Sequence, residues 1–386
     1  MSTNTASSLT VSIEDLLSEG IDACRKRESQ AFDLASAQTN GIVLFGAGGL
    51  GRKTLAILRS AGQEPLAFAD NKRSLWGSEI EGIPVLEPAE AAARYGRSAA
   101  FVITIWASWA DRMQDQIASL KKLGCKTVIP FTLLAWKYHA TMLPHVQIDL
   151  PSRVHEQGDA VLRCAQLWSD EDSLVEYASQ LRWRLFSDFE GLRLPRTTQY
   201  WQLDLIELGD DTVFVDVGAF NGDTVGEFVE LTKGRFRRVL AFEPDPNNFQ
   251  ALEQRINLLP EDLKHRISVY QQAVSNYDGS ISFTTNAGEG SKIGGKETVQ
   301  CVTLDRAVSE PATYIKYDVE GFEPEALSGS QELISKWRPS LAVCVYHLQD
   351  HVWRLPLQVH AIDANYKLYL RSHGQVWETV CYAIPE

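Results

Sequence analysis

Apolar and polar positions follow two different patterns along the chain. Two stretches alternate short apolar runs with segments of helical spacing, and the stretch between them keeps only the helical spacing. Strands that alternate with helices form β-α-β units and therefore parallel sheets. The pattern predicts an α/β protein with an N-terminal tail and helix at 1–39, a small parallel α/β domain at 40–134, a helical connector at 135–209 and a larger α/β domain at 210–386.

The first α/β stretch is short. Its predicted strands are Ile42–Phe45, Pro65–Ala69, Ala99–Trp106 and Thr127–Phe131. Four parallel strands make about half of a full dinucleotide-binding sheet, so we expect a nucleotide-binding-like half-domain. The helical connector that follows either caps the next domain or mediates formation of a homodimer, and the sequence leaves both open.

The second α/β stretch predicts a larger sheet. Its strands are Thr212–Val217, Val239–Phe242, Ile267–Val274, Ile315–Val319, Leu341–Tyr346, Lys367–Leu370 and Thr379–Ile384, with a hairpin-like insertion at Ile281–Thr285 and Thr298–Leu304. Its helices are Gly222–Thr232, Pro246–Leu258, Pro324–Trp337 and Val352–Ala364. The turn at Gly374 between the last two strands is too short for a helix, so those strands must be antiparallel. Seven strands with this ending predict the Rossmann-like fold of methyltransferases.

A glycine-rich loop follows the first predicted strand. Gly46, Gly48 and Gly51 form the pattern G-x-G-x-x-G, and Asp70 ends the next strand. Such a loop opens backbone N–H groups at a helix N-terminus to a phosphate, and the acid is placed to bind a ribose diol. These four residues are the candidate nucleotide or nucleotide-sugar site. The alternative is that the glycines only permit a tight strand-to-helix turn.

A second glycine loop follows the first strand of the larger domain, and acids flank it. Asp216 and Asp223 bracket Gly218, and Glu243 ends the next strand. Asp223 at a helix N-terminus would repel a pyrophosphate, whereas acids suit the sulfonium, ammonium and hydroxyl groups of S-adenosylmethionine. Glu243 is placed to accept hydrogen bonds from both ribose hydroxyls. The loop therefore predicts S-adenosylmethionine rather than NAD as the cofactor.

Seven motifs between about residues 212 and 386 resemble the FkbM family of methyltransferases. They are Val215-Asp-Val-Gly-Ala, Ala241-Phe-Glu-Pro, Ala273-Val-Ser, Ile315-Lys-Tyr-Asp-Val-Glu-Gly-Phe-Glu, Tyr346-His-Leu-Gln-Asp, Tyr369-Leu-Arg-Ser-His and Tyr382-Ala-Ile-Pro. The family has Ile or Met where Tyr317 stands, so this position departs from the pattern. The smaller domain is similar to the nucleotide-binding half-domains of sugar-modifying acyltransferases at Ala69-Asp-Asn and Gly82-Ile-Pro-Val.

The resemblance implies an enzyme that transfers a methyl group from S-adenosylmethionine to a hydroxyl of a sugar or glycoconjugate, in polysaccharide synthesis. It implies that the cofactor is held by Asp216, Gly218, Asn221 and Glu243, with Gln272 and Ala273 beside the adenine. Asp223 joins this group because of its place at the helix N-terminus.

Polar residues at the ends of two further strands predict the reaction site. Lys316, Asp318 and Glu320 alternate along one strand and its end, and His347 follows the neighbouring strand. Ligands bind at the carboxyl ends of strands in this architecture, and a sugar hydroxyl needs a base to remove its proton. We predict His347 as that base, with Asp318 orienting it or sharing the role. The alternatives are a helix cap for His347 and an ion pair between Asp318 and Lys316.

No metal is expected at this reaction site. His347 and His351 lie one helical turn apart, but the H-E-x-x-H pattern of zinc enzymes is missing. A divalent ion bound by these two histidines with Asp350 and Asp318 stays an open alternative.

Composition narrows the choice of partners and compartment. The net charge of −13, from 37 Lys and Arg against 50 Asp and Glu, argues against a nucleic acid or an anionic membrane. No apolar run reaches the roughly 18–20 residues of a transmembrane helix, and six scattered cysteines indicate free thiols. We expect a cytoplasmic enzyme with a small-molecule, nucleotide-sugar or glycan acceptor. The competing classes are an oxidoreductase that binds NAD in the first glycine loop and a non-catalytic cofactor sensor.

Overall fold

The computed structural model describes residues 13–106, 112–193, 198–284, 292–374 and 376–386, with the backbone alone for 292–293. These residues form two compact units. The first contains the described residues up to Leu162, those from Glu176 to 193 and those within Gly374–Trp377; the second contains Arg163–Val175, the described residues from 198 to His373, and Glu378–Glu386. The predicted connector is thus shared between the units, and the predicted domain boundaries stay a prediction.

The first unit alternates strands and helices. Its elements are α1 (Ile21–Ser36), β1 (Ile42–Phe45), α2 (Gly49–Ser60), β2 (Ala67–Ala69), a 3₁₀ turn (Arg73–Leu75), β3 (Glu79–Ile80), β4 (Ile83–Leu86), α3 (Pro88–Tyr95), β5 (Ala100–Ile103), α4 (Met113–Lys122), β6 (Thr127–Pro130), α5 (Phe131–Lys137), α6 (His139–Met142) and α7 (Pro151–Glu156). Two further helices, α8 (Gly158–Ala165) and α9 (Glu171–Phe186), divide their residues between the units. All residues of β2 and β5 are buried, so these strands form the centre of the core.

The sheet of the first unit has the strand order β3-β4-β2-β1-β5-β6. All its pairs are parallel except the β3–β4 hairpin. The four strands predicted from the sequence are present. The hairpin was not predicted, because β3 has only 2 residues and β4 only 4, which are too few for a strand alternation to show.

The second unit contains the larger sheet. Its elements are β7 (Val213–Val217), α10 (Asp223–Thr232), β8 (Arg238–Phe242), α11 (Pro246–Asn257), α12 (Glu261–Lys264), β9 (Ile267–Tyr270), β10 (Ala273–Val274), β11 (Gly279–Thr284), β12 (Lys292–Ile293), β13 (Glu297–Val302), α13 (Leu304–Ala307), β14 (Tyr314–Tyr317), α14 (Glu323–Ser328), α15 (Gln331–Trp337), β15 (Ser340–Cys344), α16 (His351–Ile362), β16 (Tyr366–Ser372) and β17 (Thr379–Pro385). The predicted α/β class is confirmed. The predicted strand end at Thr285 lies outside the described residues.

Seven strands form this sheet in the order β16-β17-β15-β14-β7-β8-β9. β17 runs antiparallel to β15 and β16, as the short turn at Gly374 predicted, and the other pairs are parallel. Every residue of β7 and β14 is buried. Because β7, β14 and β15 are neighbours in parallel, their carboxyl ends meet at one edge of the sheet.

Two predicted elements of the second unit are divided. The predicted strand Ile267–Val274 is split into β9 and β10, and β10 belongs to a separate small sheet in the order β10-β13-β11-β12. The predicted helix Pro324–Trp337 is split into α14 and α15 at Gly329. A Cβ atom on Gly329 would lie 1.9 Å from the carbonyl oxygen of Ser275, so the backbones approach too closely there for any other residue.

Over the described ranges, no helix combines the length and apolarity needed to span a bilayer.

Candidate active site

The glycine loop after β7 depends on backbone conformations that favour glycine. Gly218 has a φ of +84° and Gly222 a φ of +81°. A Cβ atom on Gly218 would lie 1.8 Å from the carbonyl oxygen of Asp318. The loop therefore passes directly against the chain that follows β14, and a side chain at position 218 would separate the two segments.

Glu243 holds this loop from the end of the neighbouring strand β8. Its carboxylate accepts hydrogen bonds from the backbone N–H of Phe220 at 2.9 Å and of Asp245 at 2.8 Å. Burial raises the pKa of Glu243 to about 7, although the two backbone hydrogen bonds favour the ionised form. Glu243 is therefore placed where the sequence predicted it, beside the loop and at the carboxyl end of its strand.

Asp216 and Lys316 form a buried ion pair beneath the loop. The two residues lie opposite each other on β7 and β14, and Lys316 Nζ is 2.9 Å from Asp216 Oδ1 and 2.7 Å from the carbonyl oxygen of Gly218. Burial raises the pKa of Asp216 to about 6 even though the ammonium opposes it. Burial also disfavours the charged form of Lys316, but the charges of Asp216 and Asp318 outweigh it and raise the pKa of Lys316. The pair fixes the start of the loop.

The other predicted cofactor residues surround the same edge. Asp223 begins α10, and its Oδ1 accepts the backbone N–H of Thr224 at 2.8 Å. Asn221 Oδ1 accepts the backbone N–H of Asp223 at 3.1 Å. Gln272 and Ala273 lie just beyond the carboxyl end of β9, the strand next to β8. All seven predicted cofactor residues therefore lie at the carboxyl ends of β7, β8 and β9.

A polar cluster lies at the carboxyl ends of β14 and β15. His347 Nε2 is 3.3 Å from Asp318 Oδ1 and 3.8 Å from Glu320 Oε1. The His347 side chain is only 3% exposed, whereas those of Asp318 and Glu320 are 22% and 39% exposed. Three of the four predicted reaction-site residues therefore converge. Lys316 is the exception, because β14 ends at Tyr317 and the alternation along the strand stops there.

Glu323 completes this cluster, and the sequence analysis missed it. Its side chain is fully buried at the start of α14, with Oε1 2.8 Å from His347 Nδ1 and Oε2 3.2 Å from His351 Nδ1. Oε1 also accepts the backbone N–H of Val319 at 2.8 Å. One feature of the sequence could have indicated Glu323. It is an acid within the Asp318-to-Glu323 motif, too close to the end of the strand to be a solvent-exposed helix residue.

The charges in the cluster support one another. Burial alone would disfavour both ionised forms, but the two histidines lower the pKa of Glu323 well below its ordinary value. The carboxylates of Glu323, Glu320 and Asp318 in turn raise the pKa of His347 to about 10, against the effect of burial. The carboxylates around His347 therefore favour a positive charge at this position.

Two tyrosines hold the Asp318 carboxylate. The Tyr200 hydroxyl donates to Oδ2 at 2.8 Å, and the Tyr346 hydroxyl donates to Oδ1 at 3.4 Å. Burial and the nearby Asp318 charge raise the pKa of both phenols well above the ordinary value, so both remain donors. Asp318 is thus oriented from three directions.

The alternative metal ligands from the sequence do not converge. Asp350 pairs with Arg354 at 3.6 Å, one turn along α16. His351 is fully buried and faces Glu323 rather than Asp318. Within the part of the chain that the structure describes, the group of acids and histidine that lies close enough to hold an ion here is Asp318, Glu323 and His347.

The first glycine loop closes on itself through Asp70. The Asp70 carboxylate accepts the backbone N–H of Ala47 at 2.7 Å and that of Lys72 at 2.7 Å. Gly46 has a φ of +115°, and a Cβ atom on Gly51 would lie 2.0 Å from the Gly46 carbonyl oxygen. A Cβ atom on Gly48 meets nothing within 4 Å. Gly46 and Gly51 are required by the turn itself, whereas Gly48 faces open space.

Comparisons with known proteins bear on the second unit. Residues 216–378 match a family model described as the methyltransferase FkbM domain. A search of curated proteins gave no match. Among solved structures, the chain is similar to the methyltransferase FkbM from Methylobacillus flagellatus KT, with 23% identity, a TM-score of 0.76 and coverage of 97% of this chain and 100% of the other. This likeness shows that the two chains share a fold.

Two other solved structures align over parts of the chain. UDP-D-quinovosamine 4-dehydrogenase from Vibrio fischeri has 23% identity and a TM-score of 0.21, over 24% of this chain and 77% of its own. A putative rRNA-methylase from Clostridium thermocellum has 13% identity and a TM-score of 0.31, over 47% of this chain and 91% of its own. The family model covers the glycine loop after β7 and the cluster around Asp318 together. Residues 216–378 thus match the model of the methyltransferase FkbM domain, the family that the sequence motifs resemble.

Proposed function

We propose that this protein binds S-adenosylmethionine in its second unit and transfers the methyl group to a hydroxyl of a sugar or glycoconjugate. The observation that carries the proposal is the contact between the backbones of Gly218 and Asp318. It joins the loop predicted to hold the methyl donor to the cluster predicted to hold the acceptor. In-line methyl transfer needs both partners in one site, and proximity supplies much of the rate.

The residues around the glycine loop fit this cofactor. Asp216 Oδ2 is buried and makes no hydrogen bond to any described residue, which suits the ammonium or sulfonium charge. Glu243 suits the two ribose hydroxyls, because each of its carboxylate oxygens accepts one backbone N–H and keeps a second lone pair for a hydroxyl. Asp223 lies at the helix N-terminus beside Asn221, and its carboxylate would repel an anionic pyrophosphate there. These features favour S-adenosylmethionine over NAD.

The bound cofactor supplies a methyl group that is already activated on sulfur. The protein then has to orient the acceptor and take up its proton. Asp318 is the group placed to do this, because its carboxylate is partly exposed while both nitrogens of His347 face carboxylates. We assign proton uptake to Asp318 and its orientation to His347. The sequence predicted the same pair, but with His347 as the base and Asp318 as the residue that orients it or shares the role.

The carboxylates of Asp318 and Glu320 favour a polyhydroxylated acceptor. Both are exposed enough to accept hydrogen bonds from adjacent hydroxyls of a sugar ring. Lys316 serves this site indirectly, since its ammonium holds Asp216 and the Gly218 carbonyl. The six cysteines are all free and buried, which supports a reducing cytoplasmic compartment.

Calorimetric titration and a methyl-transfer assay test the proposal. S-adenosylmethionine should bind the purified chain, Glu243→Ala should abolish the binding heat, and Glu253→Ala, an exposed acid on α11, should leave it unchanged. Transfer of labelled methyl groups to a panel of nucleotide-sugars and glycans then identifies the acceptor. Binding of NAD with no heat from S-adenosylmethionine would refute the proposal in favour of an oxidoreductase.

A further inference from the structure

We infer that Asp318, Glu320 and His347 form a binding site for a divalent cation of the Mg²⁺ and Mn²⁺ class. The inference deepens the proposed function, on which its catalytic role rests, because the cation would lie where the acceptor hydroxyl binds. The site itself stands on the geometry of three side chains and on the groups that orient them.

Two carboxylate oxygens lie near ligand spacing from one nitrogen of His347. His347 Nε2 lies 3.3 Å from Asp318 Oδ1 and 3.8 Å from Glu320 Oε1. Ligands about 2.1 Å from an octahedral ion lie roughly 3 Å apart, and tetrahedral ligands lie roughly 3.4 Å apart. Glu323 belongs to the group that already lies close enough to hold an ion, but it faces Nδ1. The half-exposed Glu320 side chain therefore has to move inward to join Asp318 and His347 Nε2 on one ion.

The buried side chain of His347 has hydrogen-bonding atoms that the neighbouring residues do not satisfy. Its side chain is 3% exposed, yet neither ring nitrogen makes a hydrogen bond of acceptable geometry to any residue that the structure describes, and Nε2 lies 3.3 Å from Asp318 Oδ1. A buried polar atom without a hydrogen bond is costly, and a bound ion or water is one way to satisfy it. Nε2 points toward the two more exposed carboxylates, on the side from which an ion would enter.

Neighbouring side chains hold two of the three proposed ligands, His347 and Asp318, in the orientation that metal sites require. A histidine that binds a metal through one nitrogen characteristically directs the other to a carboxylate. Glu323 supplies that carboxylate, 2.8 Å from His347 Nδ1. Tyr200 holds the second oxygen of Asp318 at 2.8 Å, and Oδ1, which accepts the Tyr346 hydroxyl at 3.4 Å, keeps a second lone pair for the ion. The buried Glu323 is thus explained as the positioning residue of the site.

Lys316, two positions before Asp318, directs its ammonium to other groups. Lys316 Nζ is bound to Asp216 Oδ1 and to the Gly218 carbonyl oxygen. Three carboxylates therefore surround one imidazole at the carboxyl ends of β14 and β15. Two carboxylate oxygens and one imidazole nitrogen suit a hard divalent ion that keeps some positions for water or substrate.

A cation in this position has a defined effect on the proposed reaction. It binds the acceptor oxygen and makes the hydroxyl more acidic. The O–H bond breaks with its proton passing to Asp318 or to a neighbouring water. The oxygen lone pair forms the bond to the methyl carbon, and the C–S electron pair remains on sulfur, which becomes neutral. The cation is unchanged by the step.

Mn²⁺ binding to the full chain, measured by electron paramagnetic resonance without cofactor or acceptor, tests the site. We expect one bound Mn²⁺ per chain, with binding weakened at least roughly tenfold in Asp318→Asn and in Glu320→Gln. Asp350→Asn is the matched control, since Asp350 is an acid three positions after His347 in the sequence that pairs with Arg354. It should bind Mn²⁺ as the unmodified chain does.

Glu323→Gln separates a positioning role from a purely structural one. If Glu323 orients His347, this variant weakens Mn²⁺ binding by about 10–100-fold while circular dichroism still reports a folded chain. No Mn²⁺ binding by the folded, unmodified chain, or equal binding by Asp318→Asn, overturns the inference. Methyl transfer that proceeds at full rate in EDTA overturns the catalytic role alone. Loss of S-adenosylmethionine binding with Mn²⁺ binding intact would instead refute the proposed function.

Discussion

Gly218 and Asp318 touch through their backbones. A Cβ atom added to Gly218 would lie 1.8 Å from the carbonyl oxygen of Asp318, which follows the neighbouring strand. The loop assigned to the methyl donor and the residue assigned to the acceptor are therefore parts of one continuous edge. A larger residue on one side of this contact must displace the segment on the other side. This relationship leads to specific predictions.

Gly218→Ala should both destabilise the protein and impair cofactor binding. The alanine methyl group meets backbone rather than a flexible side chain, and the φ of +84° is strained for any residue with a Cβ atom. We expect the free energy of unfolding to fall by at least about 2 kcal/mol, measured with denaturant. Gly226→Ala, a helical site whose nearest neighbour is the Arg255 side chain at 3.4 Å, is the control. Equal stability of the two variants would contradict the close contact.

Lys316→Met should lower the free energy of unfolding by more than the loss of a buried side chain alone would. It leaves Asp216 buried without its ionic partner, and breaking a buried pair from one side costs about 3–5 kcal/mol. Asp216→Asn combined with Lys316→Met should recover part of this loss, because no unpaired charge remains. A double-mutant cycle of unfolding free energies measures the coupling. Additive effects would show that the two side chains do not support each other.

Binding of S-adenosylmethionine should weaken as the pH falls below about 7. Burial raises the pKa of Glu243 to about 7, and only the carboxylate form accepts hydrogen bonds from both ribose hydroxyls. Each pH unit below that pKa should cost up to about tenfold in affinity, since one pKa unit corresponds to about 1.4 kcal/mol. Calorimetric titrations between about pH 8 and pH 5.5 measure this dependence. Glu243→Gln should bind weakly with a flat profile over the same range, and a slope equal to that of the unmodified chain would assign the titration to another group.

The contribution of Glu243 to the stability of the fold should depend on pH in the opposite direction. A carboxyl whose pKa is higher in the folded state than its ordinary 4.5 binds a proton more tightly when folded. Its contribution to stability is therefore present at low pH and lost as the pH rises through about 7. Comparing denaturant unfolding of the unmodified chain and Glu243→Gln across that range isolates the effect. A Glu243 contribution that grows with pH would show that its pKa is lowered instead.

The first glycine loop offers a matched pair of variants. Gly48→Val places its side chain in open space and should leave stability within about 1 kcal/mol while blocking a phosphate that approaches the loop. Gly51→Val meets the Gly46 carbonyl oxygen and should destabilise the first unit strongly. Titration with UDP-sugars and NAD tests the proposed nucleotide site. Equal ligand binding by Gly48→Val and the unmodified chain would leave only the turn-forming role for these glycines.

The local features of the chain were available from the sequence. Strand and helix alternation, the two glycine loops and the final antiparallel hairpin each depend on spacing within a short segment, and the structure contains all of them. Glu243 could also be placed from the sequence alone, because it ends the strand that follows its own loop. Short-range spacing is sufficient in such cases, since a strand and the next parallel strand lie side by side.

Only the tertiary structure decided how the polar residues divide between two roles. Lys316 and Asp318 are two positions apart and were assigned together, yet Lys316 pairs with Asp216, which is 100 positions away. Glu323 joins His347 across 24 positions, because the start of α14 lies beside the residues that follow β15. The sequence determined which polar residues reach the carboxyl edge of the sheet. Which charges become partners there depended on strand order and on where β14 ends, since an ion pair forms only between side chains that the packed sheet brings within a few ångströms.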